Sequence, residues 1–167
     1  VTSAALQWAD GGNPAGTWYQ AEAAIDEGFI TTVGLSSGTG LSAEFQYLNA
    51  NTTYYFSLKA LGHGGQDAAY STALSSITLA NPPGAEAYAL VSSTGLSVFW
   101  DANGNPDGTR YELTESTSAF ATVNFSSVTD SNYFEASGLI PNTTYYYRAA
   151  ALNGAGVRSA VTGFAPV

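Results

Sequence analysis

The chain has 167 residues, 45% hydrophobic and 13% aromatic, with no Cys and a net charge of -9. That is apolar material enough for a core, which argues against a disordered chain. The missing thiols exclude disulfides, thiolate metal sites and cysteine nucleophiles, and the acidic surface makes nucleic acid and anionic membranes poor partners. No apolar run is long enough to span a bilayer as a helix, and no signal peptide is visible. The sequence contains no Met, so the expectation is that a leader has been removed or that the chain is a piece of something longer.

From the start of the chain, Ala4, Leu6 and Trp8 alternate with polar or small residues, a period-two pattern that predicts a strand. The turn cluster GGNPAG follows, then a strand beginning near Trp18 and Tyr19. The stretch NTTYYFSLKA from Asn51 sets Tyr54, Phe56, Leu58 and Ala60 on one face and Tyr55, Ser57 and Lys59 on the other. ANPPG at 80–84 reads as a short, stiff linker, because Pro82 and Pro83 block strand pairing. Beyond it GAEAYALVSSTG supplies a strand, and Leu96, Val98 and Trp100 share a face of the next. After the turn GNPDG and a strand carrying Tyr111, NTTYYYRAAA from Asn142 repeats the earlier motif, and the tail through Phe164 predicts a closing strand.

The same unit is thus written twice. LQWADGGNPAGTWYQ aligns with VFWDANGNPDGTRYE 92 positions later, pairing Trp8 with Trp100 and Tyr19 with Tyr111; the two NTTYY motifs are 91 apart. The expectation is an all-β chain of two domains, 1–80 and 81–167. A core Trp, a core Tyr on the following strand, and Leu139, Pro141, Thr143 and Tyr145 in the pattern L-x-P-x-T-x-Y resemble the fibronectin type III module. The first copy has Leu48, Thr52 and Tyr54, with Ala50 in place of the proline. The resemblance covers nearly the whole chain and is strongest to Gly/Thr-rich modules of bacterial extracellular proteins. It implies two tandem immunoglobulin-like sandwiches. It also implies that Trp8, Tyr19, Tyr54, Trp100, Tyr111 and Tyr145 are structural core, with Tyr54 and Tyr145 as tyrosine corners. The second copy has a first strand (A) ahead of its Trp strand, whereas the first copy starts at strand B. The missing edge strand is expected to come from residues upstream of Val1, to be donated by a neighbouring chain, or to be dispensed with.

The chemical motifs are thin. Asn51, Asn124 and Asn142 each open an N-glycosylation sequon, two of them inside the corner motif. NGNPDG at 103–108 imitates a calcium loop, but Thr114 stands where a bidentate Glu belongs, and the first copy makes the same turn without carboxylates. No metal or cofactor is therefore expected. His63 is the only imidazole, on an expected loop, and the acidic pairs Asp26/Glu27 and Glu112/Glu115 are expected on a closed sandwich without a cleft. No catalytic site, and no enzyme, is expected. Trp18, Tyr55 and Tyr146 point outward as a candidate interaction surface, for sugars or protein, or as simple cross-strand packing.

Tandem modules of this type imply a non-catalytic extracellular or cell-surface protein. The leading expectation is a protomer or segment of a surface filament, self-associating or joining a neighbouring chain by strand addition. The alternative is a binding or spacer module: an adhesin, or an accessory domain of a secreted polysaccharide-degrading enzyme, with carbohydrate as its partner.

Overall fold

The computed structural model describes residues 2–167, the side chain of Ala85 excepted. Among these residues there are thirteen strands and no helix. They divide into two compact units, the first ending at Thr78 and the second running Leu79–Val167.

The first unit contains β1 (Thr2–Gln7), β2 (Trp18–Ala24), β3 (Thr32–Gly38), β4 (Ser42–Leu48), β5 (Thr53–Leu61) and β6 (Leu74–Ile77). β1 pairs antiparallel with β4 as a two-stranded sheet, and the other four form a sheet in the order β3-β2-β5-β6. The period-two pattern decides which residues meet: Ala21 and Ala23 of β2 and Tyr54 and Phe56 of β5 close on Ala43 and Phe45 of β4. Phe45 lies on Phe56 at 5.5 Å between ring centroids. Ser57, on the outward-facing set, is nonetheless buried, its hydroxyl donating to Glu22 at 2.7 Å.

The second unit contains β7 (Gly84–Ala89), β8 (Gly95–Asp101), β9 (Arg110–Ser116), β10 (Phe125–Thr129), β11 (Tyr133–Ser137), β12 (Tyr146–Leu152) and β13 (Thr162–Gly163). Here the smaller sheet has three strands, β11-β8-β7, facing a four-stranded sheet β10-β9-β12-β13. Leu96, Val98 and Trp100 meet Tyr111, Leu113, Tyr147 and Ala149 across the sandwich. Each large apolar side chain taken fully out of water this way stabilises the fold by roughly 1.5–3 kcal/mol before entropy is counted.

Residues 80–83, expected as a short, stiff linker, are built into the second unit. Ala80 is buried in the second core. The backbone N–H of Asn81 donates to Asn105 Oδ1 at 2.7 Å, and Asn105 Nδ2 returns a bond to the Asn81 carbonyl at 2.8 Å. Asn103 Nδ2 donates to the Pro82 carbonyl at 2.9 Å, and Thr162 Oγ1 to that of Pro83 at 2.7 Å. The prolines do prevent strand pairing, as their chemistry requires. Their carbonyls are instead taken up by the side chains of Asn103 and Thr162.

Candidate interaction edge, aromatic faces and pocket

The NTTYY motif performs the same task in both units. Asn51 and Asn142 adopt left-handed backbone, at φ 46° and 57°, a conformation Asn tolerates better than most residues with a Cβ. The chain thereby reverses, and the following Tyr ring enters the core with its hydroxyl at the surface of the turn. The Asn49 N–H donates to Tyr54 Oη at 2.9 Å, and the Ile140 N–H donates to Tyr145 Oη at 2.8 Å. Two of the three sequon asparagines are thus the turn residues of these corners. The third, Asn124, is exposed and accepts the Thr117 N–H on its Oδ1 at 2.8 Å.

The other core residues are not treated alike. Tyr19, Trp100 and Tyr111 are buried, but Trp8 is only half-buried. Trp8 touches Tyr19 at 5.8 Å, whereas Trp100 lies between Tyr111 at 5.6 Å and Phe164 at 6.4 Å. Neither indole N–H has a hydrogen-bond partner among the described residues.

The cause lies at the sheet edge. β7 pairs with β8 and places Tyr88 against Tyr147, 6.2 Å between centroids, with its hydroxyl donating to the Ala165 carbonyl at 2.6 Å. Burial against that cover raises the Tyr88 phenol pKa to about 12, with Glu86 adding to the shift. The first unit has no counterpart of this strand among its described residues, and β1 pairs only with β4. Ala4 and Leu6, which match the buried Leu96 and Val98, are left half-buried. Leu74 pairs with Phe56 as Phe164 pairs with Tyr147, yet Leu74 is 63% exposed and Phe164 7%. β1 also carries no charge and no proline, two common protections of a free edge.

The outward aromatics do not form one platform. Trp18 opposes Leu61 at one end of the β2–β5 ladder and Tyr55 opposes Ala24 at the other, about 20 Å apart at the rise of a strand. Tyr146 opposes Ser116 in the second unit. A residue sequence reading missed joins Trp18 instead. Tyr70 returns over the sheet from an irregular segment, its hydroxyl donating to Gln20 at 3.0 Å and its ring 5.0 Å from the Lys59 ammonium. Gln20 is two positions from Trp18 on the same face, and Trp18 is 52% exposed. The irregular run from Gly62 to Ala73 gave no periodic signal that could have placed Tyr70.

The loop groups are occupied within the fold. Asn103 and Asn105 hold residues 81–82, as described above. Asp26 caps its own loop, accepting the Ile30 N–H at 2.9 Å and the Thr31 N–H at 2.8 Å, and these bonds, Ile30's first, hold its pKa below the ordinary Asp value. His63 lines a surface hollow with Asp67, whose carboxylate is paired with Lys59 at 2.9 Å. No group of three or more His, Cys, Asp or Glu able to hold one metal ion occurs among the described residues.

The acidic pair Glu112/Glu115 corrects the expectation of a sandwich without a cleft. The two side chains take opposite faces of β9. Glu112 turns outward to Arg158. Glu115 turns inward and is 9% exposed, accepting the Tyr147 hydroxyl on Oε2 at 2.9 Å. Burial and this carboxylate both push the Tyr147 pKa up, so the phenol keeps its proton and donates. Glu115 lines a pocket of about 400 Å³ with Asn124, Phe125, Phe134, Leu139, Ile140 and Tyr145 among its walls.

Two antiparallel sheets with a corner tyrosine and a buried Trp define an immunoglobulin-like sandwich, here in tandem. Residues 81–163 match the family model of the fibronectin type III domain, so the second unit belongs to the fibronectin type III family. The two fibronectin type III domain segment of chicken tenascin is similar in fold over both units. It is 15% identical, with a TM-score of 0.68, covering 99% of this chain and 91% of that one. The FN1–FN3 domains of chicken CNTN1 are also 15% identical, with a TM-score of 0.41 over 97% of this chain and 62% of that one. No curated protein matches the chain. Domains of this family are in general non-catalytic modules for structure and binding, commonly displayed outside cells.

Proposed function

We propose that this protein is a non-catalytic extracellular structural module, a protomer or segment of a surface filament joined through the edge of a sandwich. The observation that carries this reading is β1, whose outer edge has no strand partner among the described residues and lies beside apolar side chains that the second unit covers with its own strand. A strand added there satisfies the free backbone groups of β1 and covers Leu6, Trp8 and Leu74. The net charge of -9 keeps separate molecules soluble until they engage. Sedimentation of the full chain tests the reading. Association that rises with concentration, and that a peptide of sequence GAEAYALV suppresses, is the expected result. A monomer at all concentrations, whose β1 amides show no added exchange protection with the peptide, would overturn it.

A second reading, a carbohydrate-binding or spacer module, is favoured by the exposed Trp18 on the strand face that also carries Gln20, to which Tyr70 bonds. An aromatic face flanked by an amide suits stacking on a sugar ring with hydrogen bonds at its rim. Retardation in gels containing soluble polysaccharides, lost on Trp18→Ala, is the outcome expected of that module.

A further inference from the structure

Among the inward positions at which the two units differ, four adjoin one another and change together. The first unit has Ala23, Gly34, Phe45 and Phe56, where the second has Glu115, Phe125, Ala136 and Tyr147. In the first unit the Phe45 ring fills the space over Gly34 so closely that a Cβ there would lie 2.8 Å from Phe45 Cδ1. In the second, Phe125 on β10 takes the place of Gly34 and stacks aslant at 5.4 Å on Phe134 of β11, which stands where the first unit has Ala43. Ala136 leaves behind the volume that Phe45 occupies. The result is the pocket, with a carboxylate on its inner wall and two aromatic rings near its mouth.

A carboxylate on the wall of a pocket can accept from a ligand at any oxygen the protein leaves unserved. Tyr147 serves Oε2, but no protein donor serves Oε1 among the described residues. The aromatic rings and Tyr145 complete a lining that suits a positive charge on an apolar stem. A volume of about 400 Å³ lies at the small end of ligand sites. With only four Lys and Arg in 167 residues, the chain itself is a poor source of such a group.

We propose that the Glu115 pocket binds an alkylammonium group, presented by the lysine side chain of a partner polypeptide or by a free amine. The ammonium bonds Glu115 Oε1, and its methylene stem lies along Phe125, Phe134 and Leu139. Tyr147 orients the carboxylate by holding Oε2. The first unit, with Ala23 and Phe56 at the corresponding places, has no such site.

Titration of the full chain with n-butylammonium, followed by amide chemical shifts, tests this. Saturable changes are expected around Glu115, Phe125 and Phe134, and none around Ala23 and Phe45, with a dissociation constant of about 1–30 mM for so small a ligand. The neutral n-butanol should bind at least tenfold more weakly. The double variant Glu115→Ala with Tyr147→Phe copies the first unit's own pair, so it should retain dispersed spectra while losing the response. A lysine-containing peptide that binds more tightly than butylammonium points to a polypeptide source, and one that binds no better points to a free amine. Equal response to butanol, persistence of binding in the folded double variant, or no saturable change at these amides would each overturn the proposal. A single Glu115→Gln substitution keeps the shape and should weaken binding at least tenfold, which guards against a double variant that fails to fold.

Discussion

The two units carry the same alternating pattern on their Trp-bearing strands, yet they bury it to different depths. Leu96, Val98 and Trp100 are enclosed, while Ala4, Leu6 and Trp8 are half-covered. The difference is not in the strand itself but in its neighbour. β7 adds a backbone ladder on one side and brings Tyr88 over Tyr147. Burial is thus a property of the pair of strands, and one strand decides whether an identical pattern becomes core or surface.

Removing Trp100 should break this comparison most severely. Trp100→Ala is expected to cost the second unit about 3–5 kcal/mol in denaturant unfolding, and Trp8→Ala about 2 kcal/mol or less in the first, since the half-buried ring has less to lose. Equal losses would mean that the edge strand does not set the depth of the core. Tyr88→Ala should make the second unit resemble the first. A loss of about 2 kcal/mol is expected, with the Tyr147 amide losing exchange protection.

Gly34→Ala acts on the opposite unit. The added Cβ must displace Phe45, and about 1–3 kcal/mol of destabilisation is expected in the first transition with none in the second. The corner tyrosines sharpen the comparison by their equality. Tyr54→Phe and Tyr145→Phe each remove an acceptor from a part-buried backbone N–H, so each should cost about 1–2 kcal/mol by chemical denaturation. The smallest effect belongs to Asp26. Its pKa is depressed in the folded state, so its stabilising contribution is complete above the unfolded value near 3.8 and fades as pH falls through the lower folded value. Asp26→Asn should flatten that acid limb by lowering the midpoint slightly at neutral pH while leaving it almost unchanged in strong acid.

The strands and the inward set were readable because period two appears wherever one sheet face is buried, as at Tyr54 and Phe56. The repeat strengthened the reading by stating each element twice. Three features escaped it for physical reasons. The 80–83 segment is fixed by side chains from 21 to 79 residues away, among them Asn103, Asn105 and Thr162, beyond the reach of local pattern. Tyr70 is placed by a segment with no period. The pocket depends on the exchange of Phe45 for Ala136 and of Gly34 for Phe125, a change in volume between strands that leaves the hydrophobic pattern of each strand plausible. The aligned copies held that signal in full, at four positions compared together.

Asn103 is followed by Gly104, a dipeptide that in a pliant chain ages chemically, because the glycine nitrogen attacks the asparagine side-chain carbon and expels ammonia. Here the Asn103 amide nitrogen is anchored on the Pro82 carbonyl, and the backbone N–H of Asn103 is held by Asp101 Oδ1 at 2.6 Å. Cyclisation must first release that anchor, which slows the reaction. The same bond that seats the start of the second unit therefore also guards the Asn103–Gly104 link against this reaction.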